Sequence, residues 1–247
     1  MKKQEVTVKE EQAITLAPEL MGSWDNEAVE AKDIRIPRGL MMQAMSDLVG
    51  ERKAVAGQVI NSITHEVLGT EEKPVDIIPI YTFKTWTIQH KVNGKFEYLK
   101  AEPYTAANST RPREEKILDV DYQNVETINL LGMLEADLAK ADALPYLFTF
   151  RMTSYACGKD ILTLKENCRR TNRPMAAYVI KLVPTYTKND KGQFYVMKYG
   201  VPKANASFEK HALTLKTWHQ TFAAGSVKVD EEVAEAPAES TVKDTRF

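Results

Sequence analysis

Residues 75–90 read VDIIPIYTFKTWTIQH, and this stretch decides the fold class. One parity carries Ile78, Ile80, Thr82, Lys84, Trp86 and Ile88, while the other carries Ile77, Tyr81, Phe83, Thr85 and Thr87. Large side chains therefore occupy both faces over part of the run, the pattern of a strand covered on two sides. Asn93-Gly94 follows, a strong two-residue hairpin signal, and Lys95 to Leu99 (KFEYL) supplies the returning strand. The pair predicts a hairpin with aromatics on both arms.

Outward from this hairpin, the apolar run Asn124 to Leu134 predicts another strand, and so does Leu144 to Tyr155 (LPYLFTFRMTSY). A helix is expected from about Lys159 to Arg170. A second hairpin is expected from Ala176–Thr187 and Gln193–Val201 about the turn Asn189-Asp190-Lys191-Gly192. Phe208, Ala212, Leu215, Trp218 and Phe222 fall at helical spacings of three and four, predicting a last helix over about 204–223. On the N-terminal side, Asp33 to Arg38 (DIRIPR) is extended and broken at Pro37. Leu40, Met41, Ala44, Met45 and Leu48 read as a short helix, and Gly57 to Leu68 as a turn, a strand and a polar bend.

These elements predict a mainly β chain with attached helices (β or α+β), an OB-like antiparallel barrel or curled sheet with flexible termini. Regular βαβ alternation is missing, which argues against a doubly wound nucleotide fold. Three segments are expected: a mobile N-terminal arm (1–32), a folded domain (33–223) and a disordered acidic tail (224–247). No apolar run is long enough to cross a bilayer, and MKKQEVTVKEEQ lacks the apolar stretch of a signal peptide, so the expected setting is the cytoplasm, away from membranes. Cys157 and Cys168 lie eleven apart on one predicted helix, about 16 Å, too far for a disulfide.

Charge is unevenly distributed. The chain carries 33 Lys/Arg and 34 Asp/Glu, for a net charge of -1. Residues 1–33 hold 4 basic and 8 acidic residues and 223–247 hold 3 and 6, leaving 26 basic and 20 acidic for 34–222. A core of +6 thus sits between acidic ends, and the local field of the folded part is what a phosphate backbone meets. The C-terminal acids include Asp230, Glu231, Glu232 and Asp244, and the chain ends on Phe247. An acidic tail tipped by an aromatic competes with DNA phosphates for a basic groove and offers a carboxylate-flanked apolar tip to replication or recombination partners.

Small curled sheets bind single strands through basic grooves floored by aromatic rings. The candidate contacts are Lys84, Trp86, Lys91, Lys95, Tyr98 and Lys100 on the first hairpin, and Arg111 and Arg113 in the loop NSTRPREEK. Lys165, Arg169, Arg170 and Arg173, around the end of the first long helix, complete the set. Tyr81, Phe83, Phe96, Tyr104, Tyr186, Phe194, Tyr195 and Tyr199 are further rings that either face bases or fill the core. Alternation favours Trp86, which shares a parity with Lys84, over Phe83 as the wetter ring.

Catalytic signals are weak. The sequence has neither G-x-x-x-x-G-K-[ST] nor G-x-G-x-x-G, and His65, His90, His211 and His219 include no pair at metal-ligand spacing. The expectation is a protein that is not an enzyme and needs no cofactor. Two alternatives stand beside simple coating of single strands: a virion or assembly protein whose hairpins are subunit contacts, and a strand-annealing recombination protein. Either accommodates a homo-oligomer.

Ile34-Arg35-Ile36-Pro37-Arg38 with Leu40 and Gln43, then Gly57-Gln58-Val59-Ile60-Asn61 and the Val75–Trp86 strand, resemble the start of tailed-bacteriophage proteins associated with single-stranded DNA binding. The acidic end with Phe247 is similar to phage and bacterial single-stranded DNA-binding proteins more broadly. The resemblance implies an OB-like fold, sequence-independent binding and a role in DNA replication or recombination. It assigns no individual contact residue, and the chain lacks the run of consecutive Asp residues at its end.

Overall fold

A computed structural model describes residues 36–140, 142–190 and 192–225. The expected N-terminal arm lies outside the described residues, as do Asp230, Glu231, Glu232, Asp244 and Phe247 of the expected tail. Chain order begins with β1 (Gly39–Met41), α1 (Asp47–Gly50), β2 (Val59–Asn61) and β3 (Val67–Gly69), the strands forming a small antiparallel sheet in the order β1-β2-β3. Then follow β4 (Val75–Val92), β5 (Lys95–Pro103), β6 (Glu114–Ile117), β7 (Val120–Leu134), β8 (Tyr146–Phe150) and α2 (Tyr155–Arg170). The chain continues through β9 (Tyr178–Asn189), β10 (Gly192–Tyr199), β11 (Lys203–Ala204) and α3 (Phe208–Ala223).

The large sheet is antiparallel, in the order β10-β9-β4-β7-β6, with β5 added beside β4, β8 beside β7 and β11 beside β9. Its described strands do not close into a barrel: the result is the mainly β, open-sheet form of the expected fold, with helices attached. β4 is the spine. One edge pairs with β7 from Ile77↔Leu134 to His90↔Tyr122. The other is shared by β9, at Val75 to Ile77, and β5, at Thr85 to Val92. In the gap between them the Lys84 carbonyl accepts the Tyr104 N–H at 3.1 Å, and the Thr82 carbonyl accepts the Lys165 ammonium at 3.2 Å.

A bulge at Pro79–Tyr81 changes which side chains share a face of β4. Val75 and Ile77 join Ile128, Leu130, Phe148 and Phe150 under α2, whose Cys157, Ile161, Leu164 and Cys168 complete that core. Ile78 and Ile80, with Tyr81 and Phe83 packed alongside, join Leu131, Met133, Leu147 and Val179 under Leu215, Trp218 and Phe222 of α3. Both helices are amphipathic covers on opposite faces of one sheet, which accounts for the two-sided apolar character of the 75–90 run. Cys157 and Cys168 are free and buried on the inner face of α2.

Both hairpins form as expected, the first on Asn93 (φ 52°) and Gly94 (φ 81°), the left-handed pair that a two-residue turn of this type requires. Three expectations are corrected. The helix expected from Leu40 shrinks to Asp47–Gly50, because Met42 is fully buried and its N–H and C=O bond to Gln58 and Gly57, holding the segment extended beside β2. The strand expected through Tyr155 stops at Phe150, and the helix after it starts at Tyr155 rather than Lys159. The loop expected over NSTRPREEK ends early, because Glu114–Ile117 is a strand that pairs with the start of β7.

Candidate nucleic-acid interface

The outward face of α2 and the adjoining stretch of β4 enclose an open groove of about 480 Å³. Tyr155, Lys159, Thr163, Glu166 and Arg170 recur at three- and four-residue spacing, so they line one side as a stripe, and Lys84 of β4 faces them. Lys84 lies 4.8 Å from the centroid of the Tyr104 ring, and Lys159 lies 5.6 Å from that of Tyr155. Tyr155 thus lines the groove as a cation-capped ring, while Tyr104, stacked on the buried Trp86, carries Lys84 from outside the lining.

Carboxylates hold Lys84 and Arg170 in place. Lys84 is paired with Glu126 of β7. Burial pushes the Glu126 carboxyl up, but hydrogen bonds from Lys84 and the Tyr155 hydroxyl, with Lys159 nearby, outweigh it and hold the group below its ordinary value. The Tyr155 phenol is pushed up by burial and by donating to that carboxylate. Glu166 accepts from Arg169 at 2.8 Å through both Nε and Nη2 and from Arg170 Nε at 3.0 Å. The Arg169 and Arg170 hydrogen bonds draw its pKa down to about 2.

Of the residues singled out in the sequence, Lys84 and Arg170 meet in this groove, with Arg169 and Arg173 exposed close by at the end of α2. Trp86 shares the Lys84 face, yet it is only 6% exposed: its ring stacks on Tyr104 at 5.6 Å and its Nε1 donates to Asn108 at 3.3 Å. Phe83 is the more exposed of the two, so the parity ranking is reversed. The reason is the 104–113 segment, which folds back over Trp86, a contact that strand alternation cannot anticipate. Lys165 points its ammonium the other way, to the Thr82 carbonyl and to within 6.0 Å of the Tyr81 centroid, and burial of that end lowers its pKa.

The remaining candidates are scattered. Lys91 and Lys95 sit toward the β4–β5 tip, Lys91 lying 3.8 Å from Asp121. Lys100 and Arg111 converge on one carboxylate, Glu102, at 2.7 and 2.8 Å. Arg113 is exposed before β6, and Tyr98 lies on the opposite face of the sheet, lining a separate cavity. Lys159 and Tyr155 were not among the sequence candidates. Starting the helix four residues earlier would have shown them, because Tyr155, Lys159 and Arg170 then fall on one stripe.

Residues 9–228 match a family model described as Pam3 phage gp34-like protein. The chain belongs to this family. The match spans every described element, so the phage assignment reached from the 34–86 motifs stands for the whole fold. No curated protein matches the chain, and no solved structure does. For this gp34-like phage chain, no helix among the described residues is long and apolar enough to cross a membrane, a statement that does not extend to strands. No cluster of three or more His, Cys, Asp or Glu among the described residues is arranged to hold a metal ion.

Proposed function

We propose that this phage protein binds single-stranded DNA without sequence preference, in the groove between α2 and β4, during replication or recombination in the host cytoplasm. The observation that carries the reading is the convergence of Lys84, Lys159 and Arg170 on one open groove that the Tyr155 ring also lines. Cations meet phosphates there and the Tyr155 ring offers a surface to a base, a combination that tolerates any sequence. No catalytic step and no cofactor enter this role. Glu126 and Glu166 neutralise part of the groove in the free protein, so DNA phosphates compete with carboxylates for the same ammonium and guanidinium groups. The acidic C-terminal sequence, with Asp230, Glu231, Glu232, Asp244 and Phe247, competes in the same sense and recruits replication or recombination proteins.

The test is fluorescence anisotropy of labelled oligo-dT with the full chain and with Lys159→Glu and Arg170→Glu. Binding that falls with salt and weakens in both variants supports the groove; binding that the variants leave intact refutes it.

One observation favours the assembly reading. Leu118, at the β6–β7 tip, is 94% exposed and held at φ 48°, a conformation that leucine rarely adopts. A full chain that ignores oligo-dT but self-associates, and loses that association in Leu118→Gly, would favour assembly over DNA binding.

A further inference from the structure

β10 is an edge of the large sheet: β9 pairs along one side of it, and among the described residues no strand pairs along the other. Gly200 donates to the Lys181 carbonyl at 2.8 Å, so in this register the backbone groups of the even-numbered residues face β9. Those of Gln193, Tyr195, Met197 and Tyr199 face away. Two side chains stand where a further strand would lie. Gln43 Oε1 accepts from the Tyr195 N–H and Gln43 Nε2 donates to the Tyr195 carbonyl, each at 2.9 Å. That is the pair of bonds that a residue of a neighbouring antiparallel strand makes. Ser154, just before α2, accepts from the Met197 N–H at 3.0 Å through its hydroxyl. The segment that carries Gln43 is seated on β10 as well. Met42 bonds to Gln58 and Gly57, and a Cβ at Gly57 would come within 2.5 Å of the Tyr195 ring. Gln43 and Gly57-Gln58, singled out in the sequence, thus meet on one strand edge.

We infer that the β10 edge is a strand-pairing surface for a second copy of this chain, latched shut by the Gln43 side chain. Charge separates this edge from the others. β5 carries Lys95, Glu97, Lys100 and Glu102, and β6 carries Glu114, Glu115 and Lys116, the kind of residues that keep an edge from pairing. β10 (GQFYVMKY) carries Lys198 alone and has no proline, so its protection comes from Gln43 and Ser154 instead. The partner that suits a nearly uncharged edge is another of the same kind. Two β10 strands set antiparallel about a twofold axis present the same outward backbone groups to each other. Once the Gln43 bonds break and its segment swings off β10, each copy replaces them with backbone bonds to its partner. The inference stands apart from DNA binding, because neither β10 nor Gln43 lines the α2 groove.

The test compares the full wild-type chain with Gln43→Met, which keeps the length of the side chain and removes both bonds. Sedimentation velocity and hydrogen exchange at the Tyr195 amide are followed at low and high protein concentration. At low concentration the Tyr195 amide of the variant should exchange about tenfold faster than that of the wild type, the scale of the lost hydrogen bonds. At high concentration the variant should sediment as a dimer, associating about tenfold more tightly than the wild type, and its Tyr195 amide should be protected again. Should Gln43→Met fail to fold, Gln43→Glu, which can still accept from the Tyr195 N–H but no longer donates to its carbonyl, carries the same readouts. A folded variant that stays monomeric at both concentrations, or that self-associates without protecting Tyr195, would overturn the inference.

Discussion

Lys159 and Glu166 carry opposite parts of the groove's chemistry. Lys159 stands over the Tyr155 ring with no ion pair among the described residues, so its charge is available to a phosphate. Lys159→Glu should leave the circular dichroism unchanged, weaken oligo-dT binding and reduce the slope of log K against log salt by about 0.7, the value of one single-strand phosphate contact. Glu166 works by ordering Arg169 and Arg170. Its folded pKa, near 2, lies below the unfolded value, so the ionised cluster stabilises the protein above about pH 4.5 and the contribution is lost as pH falls through 2. A carbon-detected titration of the Glu166 carboxyl should show that low midpoint, and a midpoint near 4.5 would mean the arginines do not hold it. Lys165 belongs to the fold: Lys165→Ala leaves the Thr82 carbonyl without this donor and should cost about 1 kcal/mol in urea denaturation. The oligo-dT affinity of the folded protein should remain close to that of the wild type.

At the scale of elements, α2 matters most, because it is both core and groove. Gly158 is where the helix meets the sheet: a Cβ there would come within 2.9 Å of Ile128 and 3.0 Å of Phe150. Gly158→Val should therefore lift α2 from the sheet and lower stability by about 1–3 kcal/mol, read as a shift in the urea midpoint, despite valine's better helix propensity. This element also shows what was legible in the chain. Buried positions along α2 follow a helical period, so its existence and its end near Arg170 were readable. Its start was not, because LPYLFTFRMTSY alternates like a strand until Met152 turns the backbone at φ 47°. The long hairpins were readable from Asn93-Gly94 and from the aromatic runs. The bulge at Pro79 was not, and without it parity places Ile78 with Lys84 and Trp86, although Ile78 packs under α3 and Lys84 faces α2. The site was legible only as a list of cations; which of them share a groove depends on which carboxylates fold against the rest.

For the whole molecule, a net charge of -1 and a +6 interior segment point in different directions, and the fold shows how far that interior charge is spent internally. Lys84, Lys91, Lys100, Arg111, Arg169 and Arg170 all meet carboxylates. Any binding of polyanions therefore rests on a local groove rather than on bulk charge, and it should be strongly salt-dependent. Removing the chain after Gly225 takes away the acids at Asp230, Glu231, Glu232, Glu235, Glu239 and Asp244, and oligo-dT binding should tighten at low salt. The most direct measurement is anisotropy of a labelled oligo-dT titrated with full-length wild type and with the triple variant Lys84→Glu, Lys159→Glu, Arg170→Glu, at two salt concentrations. The expected result is salt-sensitive binding by the wild type, in preference to a duplex of equal length, and loss of that binding in a triple variant that remains folded. Equal binding by both proteins, or no binding by the wild type at low salt, would contradict the assignment of the α2–β4 groove to single-stranded DNA.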